Sequence, residues 1–273
     1  MSFKRIIAKI DIKGENVVKG VHFEGLRVLG KPNDFASYYY NNGIDEIFFQ
    51  DIIATLYGNN CLFEFISKIS ENIFIPIIVG GGIRTLKDIE KMFIHGADRV
   101  SLNSAVIKNR KFLNDAARVF GSANIAVNIE VLKKNNNYFA YYEYGRENSN
   151  LNVMDWARKV QEDGAGEIIL SSIDFDGTGK GFEVELLKEI KQNISIPITI
   201  HGGCSKIDQI VNVFRNDISD AIALSSVLHY NYLRKKIKTD KKNFNFSIND
   251  KWEDFDIKKI KKTLIQEKIK VRI

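Results

Sequence analysis

Two carboxylates, each closing a short apolar run, are the residues of this chain best suited to chemistry. Ile7-Ala8-Lys9-Ile10-Asp11 returns 119 residues later as Ala126-Val127-Asn128-Ile129-Glu130. Each run reads as a strand ending in an acid. Two carboxylates on opposite sides of a bound ligand suit general acid and general base work. The competing reading is that strand-end acids cap the next helix or pair with a cation such as Lys19. Asp51, Asp174 and Asp176 follow similar runs. Asp176 belongs to Ser172-Ile173-Asp174-Phe175-Asp176-Gly177-Thr178-Gly179-Lys180-Gly181, a polar, glycine-rich loop that can wrap a ligand closely.

The glycine segments speak to anions. Gly80-Gly81-Gly82 and Asn103-Ser104 can present backbone N–H groups to a phosphate, and Gly202-Gly203 and Ser225-Ser226 repeat the arrangement 121 to 122 residues later. A lone glycine triplet is weak evidence, because glycine also serves tight turns. A duplicated set predicts a ligand with two phosphates, one held by each half. At the opposite ends of the strands stand Arg5, Glu46, Arg99 and Glu167. Two bases and two acids there make a charge-balanced ring, and buried charges of this kind must be paired. Taken alone, these four residues favour a structural ring over a gate.

Strands in a fixed order must position all of these groups. Asn42–Phe49 is echoed by Asp163–Leu170 at an offset of 121, and Val79–Gly82 by Ile200–Gly203 at the same offset. Four landmarks at a nearly constant spacing mark an internal duplication. The apolar runs predict eight strands, at Ile6–Ile10, Glu46–Gln50, Ile77–Val79, Arg99–Leu102, Ile125–Ile129, Glu167–Ser171, Ile198–Ile200 and Ala221–Leu224. They are short and continuously apolar, as strands of a helix-covered parallel sheet are. Helical patterns lie between them, with Asn33 or Asp34, Thr85, Asn109 and Ser205 as caps. Eight strand–helix units predict a (β/α)8 TIM barrel built from two similar half-barrels. A doubly wound open sheet would not need its second half to retrace the first. The expected organisation is a single domain over 1–273, with half-barrels at about 1–120 and 121–235 and a basic C-terminal insertion and helix over 236–273. Asp11–Lys31, rich in glycine, interrupts the spacing as a candidate active-site lid. Lys238–Phe255 interrupts it again before a last helix at Ile257–Glu267.

Composition narrows the function classes. A chain of 273 residues can bury a full barrel core, and no run is long and apolar enough to span a bilayer. The first residues lead straight into a strand, so no signal peptide is read. Two cysteines, Cys61 and Cys204, fit a reducing cytoplasm and suggest neither a disulfide framework nor a zinc cluster. The net charge of +6 is uneven: Arg234–Ile273 holds 14 Lys/Arg against 6 Asp/Glu, which leaves −2 for the rest. A nearly neutral body argues against a nucleic-acid partner. The basic tail reads as solvated surface, with docking to an acidic protein or a membrane surface as the alternative.

From Lys4 to about Tyr230 the chain resembles HisF, the cyclase subunit of imidazole glycerol phosphate synthase. The segments that carry the resemblance are Arg5–Asp11, Val18-Lys19-Gly20, Val79–Arg84, Gly96–Asn103 and Asp176-Gly177-Thr178. In that family a HisH-like glutaminase docks on the N-terminal face of the barrel. Ammonia passes down the axis to a substrate carrying a phosphate at each end, and no metal or cofactor takes part. The resemblance makes Asp11 the catalytic acid/base with Glu130 as its partner and Lys19 the lysine of the lid. It gives phosphate or substrate contacts to Asp51, Gly82, Asn103, Ser104, Asp176, Gly177, Gly203, Ser225 and Ser226. It turns Arg5, Glu46, Arg99 and Glu167 into an ammonia gate and puts Asp98 at the partner interface.

Several residues depart from the family pattern. Arg99 stands for a lysine, Glu130 for an aspartate, His201 for a small residue and Asn59 for an arginine. The extra methylene of Glu130 shifts its carboxylate by about 1 Å, enough to disturb an aligned proton transfer. Gln50–Asn60, Asp176–Phe182, Ser226–Tyr230 and the basic segment look closer to WbuZ, the HisF-like proteins that accompany sugar-amidating enzymes of surface-polysaccharide biosynthesis. The favoured expectation is therefore an ammonia-channelling subunit that serves a glutaminase and a sugar amidotransferase. The alternative is the cyclase of histidine biosynthesis, which converts phosphoribulosyl formimino carboxamide ribonucleotide and ammonia to imidazole glycerol phosphate and aminoimidazole carboxamide ribonucleotide. An isomerase of the adjacent pathway step is a third reading, but it has no use for the charged ring.

Overall fold

A computed structural model describes residues 3–54, 62–240 and 252–273. Its core is a closed barrel of eight parallel strands. In barrel order these are β1 (Arg5–Lys13), β4 (Glu46–Asp51), β5 (Ile77–Gly80), β6 (Arg99–Leu102), β7 (Ile125–Lys134), β10 (Glu167–Ser172), β11 (Ile198–His201) and β12 (Ala221–Leu224), which pairs back onto β1. The doubly wound alternative is thereby excluded. The remaining strands form two antiparallel hairpins. β2 (Asn16–Val21) and β3 (Glu24–Gly30) continue from β1, while β8 (Asn137–Tyr142) and β9 (Glu147–Asn152) continue from β7. The predicted lid over Asp11–Lys31 is therefore an ordered hairpin, and the second hairpin went unread in the sequence.

Ten helices, among the described residues, wrap the strands: α1 (Pro32–Asn41), α2 (Leu62–Ser70), α3 (Leu86–Ile94), α4 (Ser104–Lys108), α5 (Arg110–Phe120), α6 (Val153–Glu162), α7 (Val184–Asn193), α8 (Ile207–Arg215), α9 (Ser226–Asp240) and α10 (Ile257–Gln266). Thr85 caps α3 through a reciprocal pair with Asp88, as expected. The other expected caps differ. Pro32 opens α1 after Lys31, Asn109 makes no side-chain cap bond, and Lys206 rather than Ser205 precedes α8. Asn152 and Asp256 are caps that the pattern reading overlooked.

The barrel interior is stratified. Ile7, Phe48, Ile78, Ala126, Ile169, Ala221 and Ala223 form a small apolar cluster inside the strands, separate from the larger core beneath the helices. Strand residues alternate between these two environments with a period of two. Arg5, Ile7, Lys9 and Asp11 therefore rise along one face of β1, from the N-terminal end of the barrel to its mouth. Strand starts are held by a repeated device. Asp45, Asp98 and Asp220, each one residue before a strand, accept from the N–H of Ile6, Ile77 and Ile198 on the neighbouring strand, at 2.8, 2.8 and 2.9 Å. Lys261 of α10 adds a buried bond to Asp45 at 2.6 Å, and the tail returns to the barrel floor where Lys4 bridges Val271.

Candidate active site

Asp11 and Glu130 stand on β1 and β7, four strands apart around the eight-stranded barrel, and both are buried. Neither closes its strand, since β1 runs on to Lys13 and β7 to Lys134 as each enters its hairpin. Lys9 makes a close ion pair with Asp11 Oδ1, and Lys19 approaches Oδ2 at 3.3 Å. Burial alone would raise the Asp11 carboxyl, but Lys9, Lys19 and His201 outweigh it and hold the group well below the usual carboxylate range. Lys19 reaches across to Asp176 at 2.7 and 2.9 Å. Burial works against the Lys19 charge, yet Asp176 and Asp11 hold its ammonium above the ordinary lysine range.

Glu130 has the opposite character. Burial pushes its carboxyl up to about 7, against the opposing pull of the Gly145 N–H, Lys9 and Asn103, with Asp11 adding to the rise. Of two carboxyls in one mouth, one is thus fixed as an anion and the other titrates near neutrality. The turn of the second hairpin touches both. The Tyr144 hydroxyl donates to Asp11 at 3.4 Å, and Gly145 N–H donates to Glu130 at 2.8 Å. Gly145 has φ of +74°, and a Cβ there would lie 3.0 Å from Phe23 and 3.1 Å from Ile173, so any larger residue would be strained. Lys9, Tyr144 and Gly145 are site residues that the sequence does not single out. The period-two alternation along β1 could have identified Lys9. Nothing local marks the turn.

The expected anion loops open onto cavities at this same end. One, of about 280 Å³, is lined by Asp51, Gly82, Ser101, Asn103, Ser104 and Glu130. Asp51 turns its carboxylate back onto the N–H groups of Ile53 and Ala54, at 3.0 and 2.9 Å, and burial raises its carboxyl. Ser104 Oγ accepts from Glu143 N–H at 3.0 Å, and Asn103 donates to Tyr141 O at 3.3 Å. Ser101 Oγ is buried without a partner among the described residues. On the second-half side a cavity of about 450 Å³ is lined by Lys19, Arg27, Gly177, Ser226, Tyr230 and Trp252. Beside it lies a smaller one bordered by Asp176, His201, Gly203 and Ser225. Gly203 has φ of +90°, and a Cβ there would meet Gly181 O at 1.8 Å, so this loop folds only with glycine. His201 Nδ1 donates to Ala223 O at 3.0 Å, burial lowers the pKa of the ring, and Nε2, 3.5 Å from Asp176, makes no hydrogen bond among the described residues.

At the far end the four expected charges do meet. Arg5 binds Glu46 at 2.8 and 3.1 Å and Glu167 at 2.9 Å, while Arg99 binds Glu167 at 2.5 Å and stands 3.8 Å from Glu46. Thr199 donates a further short bond to Glu167. Every charge has a partner, which is what burial of such a set demands.

The sequence pattern of the Histidine biosynthesis protein family matches residues 5–234, the whole barrel with both hairpins. The chain belongs to this family. Within it, the HisF relationship is close. The chain is 47% identical over 210 residues to imidazole glycerol phosphate synthase subunit HisF of Legionella pneumophila, covering 77% of this chain and 99% of that protein. HisF of Lactococcus lactis is 42% identical over 84% of this chain and 90% of its own, and HisF of Sulfurisphaera tokodaii is 40% identical over 84% and 91%. These relatives carry the histidine-pathway name, so the leaning toward WbuZ-like proteins gains no support from them.

Other features of this HisF-family barrel bear on its partners. The exposed apolar side chains Phe3, Phe74, Ile94 and Val119 lie just before β1, β5, β6 and β7, and Ile273 ends the tail beside β1. They share the N-terminal end with the charged ring. Asp98 is exposed there while its carboxylate holds Ile77. Asn59 and Cys61 lie outside the described residues, as does much of the basic segment before α10. Among the described residues no helix is long and apolar enough to cross a membrane, and no three His, Cys, Asp or Glu side chains converge as a metal site.

Proposed function

We propose that the chain is the HisF-type, ammonia-using subunit of imidazole glycerol phosphate synthase. It would act with a HisH-like glutaminase and turn phosphoribulosyl formimino carboxamide ribonucleotide and ammonia into imidazole glycerol phosphate and aminoimidazole carboxamide ribonucleotide. The observation that carries this reading is the placement of a fully paired Arg5–Glu46–Arg99–Glu167 ring and the Asp11–Glu130 mouth at opposite ends of one barrel. The glutaminase docks on the N-terminal end, where the exposed apolar residues and Asp98 stand. Ammonia enters through the ring and crosses the layer of Ile7, Phe48 and Ile169 as the neutral molecule, because an ammonium ion would lose its hydration there.

At the mouth, Gly82, Asn103 and Ser104 hold one phosphate of the substrate, and Gly177, Gly203, Ser225 and Ser226 hold the other. Lys19, between Asp11 and Asp176, keeps the first hairpin over the bound molecule. Asp11 stays ionised and stabilises the positive charge that develops on nitrogen as ammonia adds to the ligand carbonyl. Glu130 takes up and returns the proton, a task suited to a carboxyl near 7. Purified chain supplied with the substrate and ammonium salt should form both products, and with its glutaminase it should do so from glutamine. No product at high ammonium would remove the cyclase assignment.

A second reading keeps the conduit and transfers the chemistry to a separate sugar amidotransferase. The residues at the mouth favour it: Glu130 has a longer reach than aspartate, and buried His201 sits beside Asp176. Under that reading the chain binds a glutaminase and stimulates glutamine hydrolysis, yet leaves the histidine-pathway substrate unchanged.

A further inference from the structure

Tyr39, His229 and Ser225 form a buried chain of hydrogen bonds that the reaction scheme leaves unused. Tyr39 lies on α1, His229 in the first turn of α9, and Ser225 immediately before that helix. Tyr39 Oη is 2.6 Å from His229 Nδ1, and His229 Nε2 is 3.2 Å from Ser225 Oγ. The imidazole is wholly enclosed, stacked on Tyr39 and edge-on to Phe35. Burial, with Lys19 and Lys9 nearby, depresses its protonation to about 3, so the ring is neutral and carries one N–H.

Burial then sets the directions. The Tyr39 hydroxyl is wholly buried and, among the described residues, has no acceptor other than His229 Nδ1, so it is satisfied only by donating there, whereas Ser225 also borders a cavity. A neutral imidazole that accepts at Nδ1 holds its proton at Nε2 and donates it onward. Ser225 Oγ accepts that hydrogen bond, and its own O–H meets no acceptor among the described residues. The hydroxyl is left to point into the cavity that Ser225 lines with Gly203 and Ser226. We propose that Tyr39 and His229 are a positioning pair that fixes Ser225 as a hydrogen-bond donor to an anionic ligand oxygen, with a phosphate group as the ligand class. The inference rests on the phosphate-site reading of this loop and adds two residues that never touch the ligand. Without the Tyr39 hydroxyl, the imidazole can carry its proton on Nδ1 and accept from Ser225 at Nε2, which turns the donor away from the cavity.

Two measurements on the full chain test this. In the ¹⁵N spectrum of histidine-labelled wild-type protein, His229, assigned by replacing the other three histidines in turn, should appear as the Nε2–H tautomer. A proton on Nδ1 overturns the proposal. Calorimetric titration with inorganic phosphate should show Ser225→Ala and Tyr39→Phe each weakening binding by about ten-fold, the scale of a lost hydrogen bond to a charged group. The double variant should bind no worse than Ser225→Ala alone. Wild-type affinity in Tyr39→Phe, or losses that multiply in the double variant, overturns the positioning pair and leaves the phosphate site standing. A wild-type protein with no phosphate affinity overturns both.

Discussion

Lys19 Nζ lies 2.7 Å from Asp176 Oδ1, joining the hairpin after β1 to the loop after β10 across the mouth of the barrel. The contact does not act alone. His22 N–H donates to Asp176 O at 3.0 Å and the His22 ring bonds Ile173 O at 2.9 Å. Phe23 stacks on Tyr144 of the other hairpin with ring centroids 4.6 Å apart. The two hairpins, one from each half of the barrel, therefore close on each other over Asp11 and Glu130.

That closure predicts a mobile hairpin once its aromatic clasp is cut. Phe23→Ala removes a stacked pair worth about 1 kcal/mol beyond its buried area. Amide hydrogen exchange over β2 and β3 should speed up several-fold while that of β5, β6 and β12 stays as it is. Unchanged exchange in the hairpin would mean that Lys19 and His22 hold it without Phe23.

Glu130 should set the pH response of both activity and stability. With its carboxyl at about 7 in the fold, ammonia-dependent turnover should show an inflection near that pH, which Glu130→Gln abolishes. The sign for stability follows from linkage. A carboxyl raised above its unfolded value adds stability below that value and loses it as pH climbs through 7. Glu130→Gln should therefore raise the melting temperature more at pH 8 than at pH 5, by at most roughly 3 kcal/mol of differential stability. An equal effect at both pH values would contradict the burial argument.

Asp11 and Lys9 should behave as a unit. Asp11→Asn is expected to cut turnover about 100-fold, as loss of a catalytic carboxylate does. It also leaves Lys9 buried and short of its partner, at a cost of about 3–5 kcal/mol. Lys9→Met in the Asp11→Asn background should recover most of that stability and none of the turnover. Urea denaturation of the two single variants and the double variant measures the coupling; additive losses would show that the ion pair is not the source.

At the other end of the barrel, Arg99 is the test of the gate. Arg99→Ala removes the 2.5 Å bond to Glu167 and leaves Arg5 as the sole cation of the ring. With a glutaminase bound, glutamine hydrolysis should then exceed product formation, because ammonia leaks at the loosened joint. Retained one-to-one coupling would return the ring to a purely structural role.

Restoring the family's shorter side chain examines the mouth itself. Glu130→Asp should keep or raise turnover with ammonium salt if reach governs proton transfer. A fall of about ten-fold or more would instead tie catalysis to the hydrogen bond that Gly145 N–H makes to the longer side chain.

Much of this protein was written locally. The eight barrel strands were legible because short, mostly apolar runs of three to five residues need no distant partner to be recognised. Arg5, Glu46, Arg99 and Glu167 were legible as a set because they hold equivalent places at strand starts. Thr85 announced its helix because a capping box lies within four residues. By contrast, the helix expected after the eighth strand, α9, carries no helical pattern of its own. Its first half, from Ser226 to Leu233, is largely buried and its end is basic, so no apolar stripe of helical period appears. The hairpin of β8 and β9 was missed because Asn137, Glu147, Ser149 and Asn152 show no alternation of apolar and polar residues.

The sequence alone determined the barrel, the strand-borne carboxylates and the duplicated glycine loops, since each depends on residue type and short-range period. Only the tertiary structure decided what state those groups are in. Lys9 and Lys19 are neighbours of Asp11 in the chain, but the carboxylate that anchors Lys19 lies 157 residues away at Asp176, and His229 meets Tyr39 across 190. Protonation depends on burial and on charges gathered from every side, and those distances close only when β12 pairs with β1. For that reason Asp11 and Glu130, twins in the sequence, end as a fixed anion and a carboxyl raised to about 7 in the fold.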